Sequence, residues 1–156
     1  MTRHLSYALL SLFAFAAAQA ATETTAVPEV LGLTLIDADS NEAIGELSDG
    51  MTLDFGVLGT RNLSVAANTR PERVGSVLFS LNDEAEFQLE NLAPYAIAGD
   101  GDGGTDFYPW TPPLGSNILM VTPYRERNAR GQPGRALSVR FTVVEGGRAG
   151  RAVLRA

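Results

Sequence analysis

The fold is decided by the stretch LSVRFTV, residues 137–143, near the end of the chain. Every second side chain in this stretch is large and apolar: Leu137, Val139, Phe141 and Val143. The residues between them are polar: Ser138, Arg140 and Thr142. Because successive side chains of a β-strand point to opposite faces of the sheet, the alternation gives one apolar face for a core and one polar face for solvent. The stretch therefore predicts a core strand.

Similar runs precede this strand, separated by segments rich in Gly, Asn, Asp and Pro: residues 31–35, 51–57, 63–67, 77–81, 87–89 and 116–124. Helical spacing is nowhere sustained. Short strands with regular turn signals predict an all-β immunoglobulin-like Greek-key sandwich of seven strands, or eight if residues 95–98 also pair. The chain has no cysteine, so no disulfide joins the sheets and packing alone must hold them.

Two of the early runs carry specific expectations about which side chains are buried. The alternation predicts that Leu31, Leu33 and Leu35 all face inward. It predicts the same for every second residue from Met51 to Val57, after the turn at residues 49–50.

The run 116–124 differs, because both of its faces are apolar. Leu119 and Val121 share one face, and Ile118 and Met120 share the other. This strand is expected to be buried on both sides or to lie centrally. The segment 125–134 that follows contains three arginines and is predicted to be a hairpin loop whose charges keep a strand end soluble.

The first twenty residues predict a signal peptide. A short positive start at Arg3 and His4 precedes a small and apolar run, and Ala18 and Ala20 suit the cleavage site. The alternative is a membrane anchor, but the run of about eleven residues is shorter than the roughly 20 that a spanning helix needs. The predicted organisation is a signal peptide (1–20), a flexible leader (21–29), a sandwich domain (30–145) and a C-terminal tail (146–156).

The net charge of the exported chain limits the classes of partner that we expect it to bind. Removal of the signal peptide leaves 11 basic and 18 acidic residues, a net charge of −7. So acidic a surface repels phosphate backbones, and nucleic acid is not expected as a partner. No later stretch is long and apolar enough to cross a bilayer, so the exported protein, secreted or periplasmic, has no integral membrane segment after cleavage.

Catalysis is not expected, and the domain is predicted not to be an enzyme. The sole histidine, His4, lies in the predicted signal peptide, which removes the usual general base and a usual zinc ligand. Paired carboxylates could still support glycoside hydrolysis, and the candidates by residue type are Asp83, Glu84, Glu86 and Glu90. A charged run after a strand is more often a solvated turn.

The sequence GDGDGGTD offers a candidate calcium site. Asp100, Asp102 and Asp106 place carboxylates at its first, third and seventh ligand positions, and glycines allow backbone carbonyls to turn toward an ion. No glutamate follows at the twelfth position, so this is not an EF-hand, and a plain flexible acidic loop is the alternative. A second acidic segment, residues 37–42, lacks the required glycine and predicts a hairpin turn.

Aromatic residues follow the same loop. Phe107, Tyr108 and Trp110 could present ring faces to a carbohydrate. The alternative is that Trp110, within a Trp-x-Pro segment, packs in the core of the sandwich while Tyr108 is exposed.

Six stretches of the chain together resemble a known module. They are LGLTLIDADSNEAIGEL, LGTRNLSVAANT, VGSVLFSLN, ENLAPYAIAGD, YPWTPPLGSNILMVTPY and ALSVRFTVV. In this order they resemble a β-sandwich repeat of large bacterial secreted and surface proteins, similar to Ig-like and cadherin-like domains. The resemblance implies a non-catalytic accessory or adhesion role, with an unknown protein or a polysaccharide as partner.

Overall fold

The computed structural model describes residues 26–101, 104 and 106–146. The predicted signal peptide, Asp102 and the tail beyond Gly146 lie outside this part of the chain. Its strands are β1 (Glu29–Asp37), β2 (Glu42–Glu46), β3 (Met51–Asp54), β4 (Leu63–Arg70), β5 (Ser76–Leu81), β6 (Glu84–Glu90), β7 (Tyr95–Ala96), β8 (Asp100–Gly101), β9 (Asp106–Phe107), β10 (Gly115–Tyr124) and β11 (Leu137–Val144). A short helix, α1 (Phe55–Leu58), follows β3.

The strands form a sandwich of two main sheets. The first sheet has the order β2-β1-β4-β7 and the second has the order β3-β11-β10-β5-β6. The chain passes between the sheets several times, as in an immunoglobulin-like sandwich, and β3 pairs in parallel with β11. The two main sheets contain four and five strands, more than the seven or eight expected in all, because short edge strands such as β2 add to the predicted set.

The core lies between the two sheets, and the deciding stretch provides its centre. Val139, Phe141 and Val143 are at most 3% exposed, and Leu137 is half-buried. Facing them are apolar side chains of the first sheet, among them Leu33, Leu35, Leu63 and Val65. The alternation at residues 137–143 therefore predicted the buried face correctly.

Two apolar positions do not face the core, contrary to the sequence prediction. Leu31 is 54% exposed because the register of β1 against β4 shifts between Val30 and Gly32, which turns Val30 inward instead. Val57 is 83% exposed because the chain leaves β3 at Asp54. The Asp54 carboxylate accepts hydrogen bonds from the backbone N–H groups of the next turn and starts α1.

Strand β10 lies in the middle of its sheet, between β11 and β5. This confirms the alternative that the strand lies centrally. Leu119 and Val121 are fully buried, whereas Ile118 and Met120 are each 44% exposed. The prediction that β10 is buried on both sides is therefore wrong. No layer of described residues covers the outer face of the second sheet at these two side chains.

Helical structure contributes little to the described part of the chain. α1 has four residues, and no helix there is long and apolar enough to cross a membrane. The fold also begins slightly earlier than predicted, because Glu29 already pairs with Arg70 in β1.

Candidate functional site

Asp100, Asp106 and Phe107 lie on a small hairpin formed by β8 and β9, and Tyr108 directly follows it. Asp100 pairs with Phe107 and Gly101 pairs with Asp106. One hydrogen bond fixes the hairpin to the sandwich, and a second one closes the base of the hairpin. The Phe107 N–H donates to the side-chain oxygen of Asn41 (2.7 Å), in the turn after β1, and the Tyr108 N–H donates to the Gly99 carbonyl (3.1 Å).

The structure places two of the three predicted calcium ligands. Asp100 is half-buried and Asp106 is exposed, one pair apart on the hairpin, and Asp102 lies outside the described residues. Within the described residues, no group of three or more His, Cys, Asp or Glu side chains is placed to hold a metal ion. Calcium binding by the complete set stays a prediction.

Trp110 lies in the core. It is 8% exposed, and its ring makes edge-to-face contacts with Phe87 and Phe141 at centroid distances of 6.5 and 6.4 Å. Its backbone also forms two hydrogen bonds with Leu63. The core-packing interpretation of the Trp-x-Pro segment is therefore correct, and the indole has no open face for a sugar ring to stack on.

Tyr108 is the exposed aromatic ring of this region, with 49% of its surface accessible. Its ring lies against the backbone of two glycines: a Cβ added at Gly99 would be 3.5 Å from the ring, and one added at Gly101 would be 3.4 Å from the hydroxyl. A Cβ at either position would be in van der Waals contact with Tyr108, so the tyrosine lies close along the hairpin.

A carboxylate and an amide border the same surface. Gln88 donates a hydrogen bond of 2.5 Å to the carboxylate of Glu90 on β6. Glu90 in turn lies beside Gly99, at 3.4 Å from the Cβ that glycine lacks. Burial raises the pKa of Glu90, the hydrogen bond from Gln88 opposes the rise, and the negative charge of Asp100 adds to it.

The other predicted carboxylates do not join this group. Asp83 lies in the turn before β6, and Glu84 and Glu86 lie on the exposed part of that strand. Glu84 and Glu90 are the first and last residues of β6, so they lie at opposite ends of the strand. Glu90 lies close enough to Asp100 for the negative charge of that carboxylate to raise the pKa of Glu90.

The second acidic segment forms the predicted turn. The Asp37 carboxylate accepts a hydrogen bond from the Asp39 N–H (2.9 Å), and Asn41 has the left-handed conformation, with φ of 61°. The Asp39 carboxylate accepts hydrogen bonds from Thr60 and Asn62, both at 2.7 Å, and these bonds lower its pKa. This carboxylate therefore connects two loops.

Sequence reasoning missed the contribution of β6 to the Tyr108 surface. Gln88 and Glu90 are twenty and eighteen residues away from Tyr108 along the chain. Alternation predicted that Phe87 and Leu89 face the core, which places Gln88 and Glu90 on the opposite face. In the structure Leu89 is 36% exposed while Gln88 and Glu90 are half-buried, so the pattern gave no signal for this surface.

The fold and this surface define an all-β, two-sheet sandwich domain that presents an exposed tyrosine beside polar groups. No family model matches the chain, and no curated protein matches it. A search of solved structures finds similarity to the fibronectin(III)-like modules of Clostridium thermocellum CbhA, with 15% sequence identity and a TM-score of 0.44. The match covers 77% of this chain and 48% of the other, so it spans about half the length of that protein chain.

Proposed function

We propose that this protein is an exported, non-catalytic accessory or adhesion-type domain. The observation that carries the proposal is the arrangement of a packed two-sheet sandwich that holds the 99–108 hairpin and its exposed Tyr108 at the surface. A binding domain needs a rigid scaffold and a surface loop with accessible side chains, and both are present. Export, to the periplasm or the cell exterior, is proposed from the signal peptide predicted in residues 1–20.

The residue inventory supports a role without turnover. The sole histidine lies in the predicted signal peptide, and the chain has no cysteine. Glu90 and Asp100 interact near the hairpin, and neither carboxylate lines the cavity of about 450 Å³ beside Tyr95 and Gly104. Binding needs no reacting group, so the exposed surface suffices for it.

A carbohydrate-binding module is the second candidate function, and the surroundings of Tyr108 favour it. A half-exposed aromatic ring offers a face to a sugar ring. The Gln88 amide and the carboxylates of Glu90 and Asp100, close to the same hairpin, can exchange hydrogen bonds with hydroxyl groups. In this proposal Tyr108 is the stacking residue and Trp110 supports the scaffold beneath it.

Affinity electrophoresis through gels that contain single neutral polysaccharides tests the binding role, and release of reducing ends from the same polysaccharides tests for turnover. For the carbohydrate candidate we expect retardation that Tyr108→Ala abolishes and Tyr108→Phe retains, because only the alanine removes the ring. Reducing ends produced by the purified protein, and lost in Glu90→Gln, would contradict the non-catalytic role.

Calcium binding at the hairpin is a separate proposal. Calcium takes six to eight oxygen ligands, and Asp100, Asp102 and Asp106 would contribute three carboxylates, with backbone carbonyls and water as the rest. Isothermal titration with calcium should give a binding signal that Asp100→Ala removes. Asp83→Ala, in an exposed turn of the second sheet, is the matched control and should bind like the parent protein. A flat trace at millimolar calcium would contradict the proposal.

A further inference from the structure

The described arginines are concentrated at one end of the sandwich, which we call the basic end. It comprises the end of β4, the start of β5, the end of β10 and the loop that leads to β11. Six of the eight described arginines lie there: Arg70, Arg73, Arg125, Arg127, Arg130 and Arg135. All six are exposed. Four acidic residues accompany them: Glu29, Glu72, Glu126 and Glu90, which pairs with Val77 near the start of β5 and precedes Asn91, a hydrogen-bond partner of Asn128.

Backbone hydrogen bonds bring the segments of the basic end together. The Gly75 N–H donates to the Tyr124 carbonyl (2.9 Å), which joins the loop before β5 to the end of β10. The Arg135 N–H donates to the Pro28 carbonyl (2.7 Å), which joins the loop before β11 to the start of the fold. Arginines that are distant in sequence therefore share one surface.

Part of this positive charge has no acidic partner among the described residues. Glu29 forms ion pairs with both Arg70 and Arg135. No carboxylate of the described part of the chain lies within ion-pair distance of Arg73, Arg127 or Arg130. The basic end therefore has a local positive charge although the whole protein is acidic.

Arg73 also lies where several concave surfaces meet. It lines a cavity of about 300 Å³ together with Arg125, Pro28 and Pro71. It lines a second cavity of about 450 Å³ beside Asn68 and a third of about 200 Å³ beside Asn91. The guanidinium group thus borders recesses that can receive groups of a ligand, rather than a flat surface.

The acidic residues at the opposite end of the sandwich, Asp37, Asp39 and Glu42 among them, are too far away to cancel this charge. Strand β1 has nine residues and runs from Glu29 at the basic end to Asp37 at the other end. Eight steps of about 3.3 Å each place the two ends about 26 Å apart. Charges in physiological salt are screened over about 8 Å. A ligand at the basic end therefore responds to the arginines and not to the net charge.

We propose that the basic end binds an anionic polysaccharide, a polymer with repeated carboxylate or sulfate groups. Guanidinium groups bind planar oxyanions through two parallel hydrogen bonds, and several of them on neighbouring loops suit a ligand with repeated anions. The inference deepens the proposed function and rests on its export step, which would expose the basic end to extracellular polymers. It is independent of the Tyr108 surface.

Binding to immobilised polygalacturonate and dextran sulfate, with neutral dextran as reference, tests the proposal in the exported chain. The triple variant Arg73→Glu, Arg127→Glu, Arg130→Glu should lose about tenfold or more in affinity for the acidic polymers, which corresponds to about 1.4 kcal/mol. Arg140→Glu, an exposed residue on the outer face of β11, is the matched control and should change affinity less than about twofold. Affinity should also fall as salt rises.

Three results would overturn the proposal: no binding to either acidic polymer in low salt, an equal loss in Arg140→Glu, or tighter binding to duplex DNA or phosphatidylserine vesicles. Circular dichroism checks that the triple variant is folded. Retardation by neutral polysaccharides through Tyr108 should persist in that variant, so a failure here is distinguishable from a failure of the proposed function.

Discussion

At the scale of single residues, Glu90 shows how the sandwich holds a carboxylate in an unfavourable place. Its side chain is half-buried at the end of β6, and its hydrogen-bond partner Gln88 is on the same strand. Burial removes water from the charged form, and the charge of Asp100 adds repulsion. The folded protein therefore disfavours the charged form of this side chain.

The substitution Glu90→Gln should therefore raise the free energy of unfolding at pH 7, by less than about 1 kcal/mol because the site is partly open to solvent. The folded state binds a proton at Glu90 more tightly than the unfolded state does. Stability is thus highest below the usual pKa of about 4.5 and is lost as pH rises through the raised folded pKa. The gain from Glu90→Gln should vanish near pH 3.

Urea denaturation between pH 3 and pH 8 measures this effect. Glu86→Gln, on the exposed part of the same strand, is the control and should change stability by less than about 0.5 kcal/mol at every pH. A variant at Glu90 that is less stable than the parent protein at pH 7 would show that the hydrogen bond from Gln88 outweighs the burial of the charge.

At the scale of elements, alternation of apolar and polar residues predicted most of the strands. It succeeded best where one face packs on the core and the other meets water, as in β11, because pattern and burial then have the same period. Alternation also placed Leu119 and Val121 on the opposite face of β10 from Ile118. It could not predict whether another layer of the protein covers Ile118. That depends on the rest of the molecule.

The failures within elements have local physical causes. The register shift in β1 reverses the orientation of Leu31 relative to the strand that follows. Gly32, at the shift, was the available signal, because a glycine inside a strand often marks a bulge. At Val57 the capping side chain of Asp54 competes with strand extension, and the glycine after Phe55 eases the turn. An aspartate before a short apolar run was the available signal for the helix.

The burial of the polar residue Asn117 could not be predicted from alternation either. It is 1% exposed at an inward-facing position of β10. Its amide donates hydrogen bonds to the carbonyls of Pro113 and Gly115, and its oxygen accepts one from Asn82. These bonds satisfy a buried polar group that alternation would fill with an apolar residue.

At the scale of the whole molecule, neither the Tyr108 surface nor the basic end could be predicted from the sequence, and the reason is the same for both. Each depends on residues that only the topology brings together: Tyr108 with β6, and the loop before β5 with the loop before β11. The sequence does show Asp100, Tyr108 and the arginines of residues 125–130 as local groups. It does not show their neighbours, since sheet order is not encoded in periodicity.

One such contact joins Pro28, the residue before β1, to Gly134 in the loop before β11. Gly134 lies against Pro28 so closely that an added Cβ would overlap the Pro28 carbonyl oxygen. The same carbonyl accepts the hydrogen bond from the Arg135 N–H, and Val30 donates to the Arg135 carbonyl at 3.0 Å. The first strand is thereby fixed to the loop before β11.

The substitution Gly134→Ala should therefore destabilise the domain by about 1–3 kcal/mol, because the added methyl group must push the two segments apart. Gly45→Ala is the matched control, since a Cβ there meets nothing within 4 Å and the free energy should be unchanged or rise by up to about 1 kcal/mol. Urea denaturation of both variants measures the difference. If the two were equally stable, the first strand would not depend on this contact, and the segments that form the basic end would be joined by their other hydrogen bonds alone.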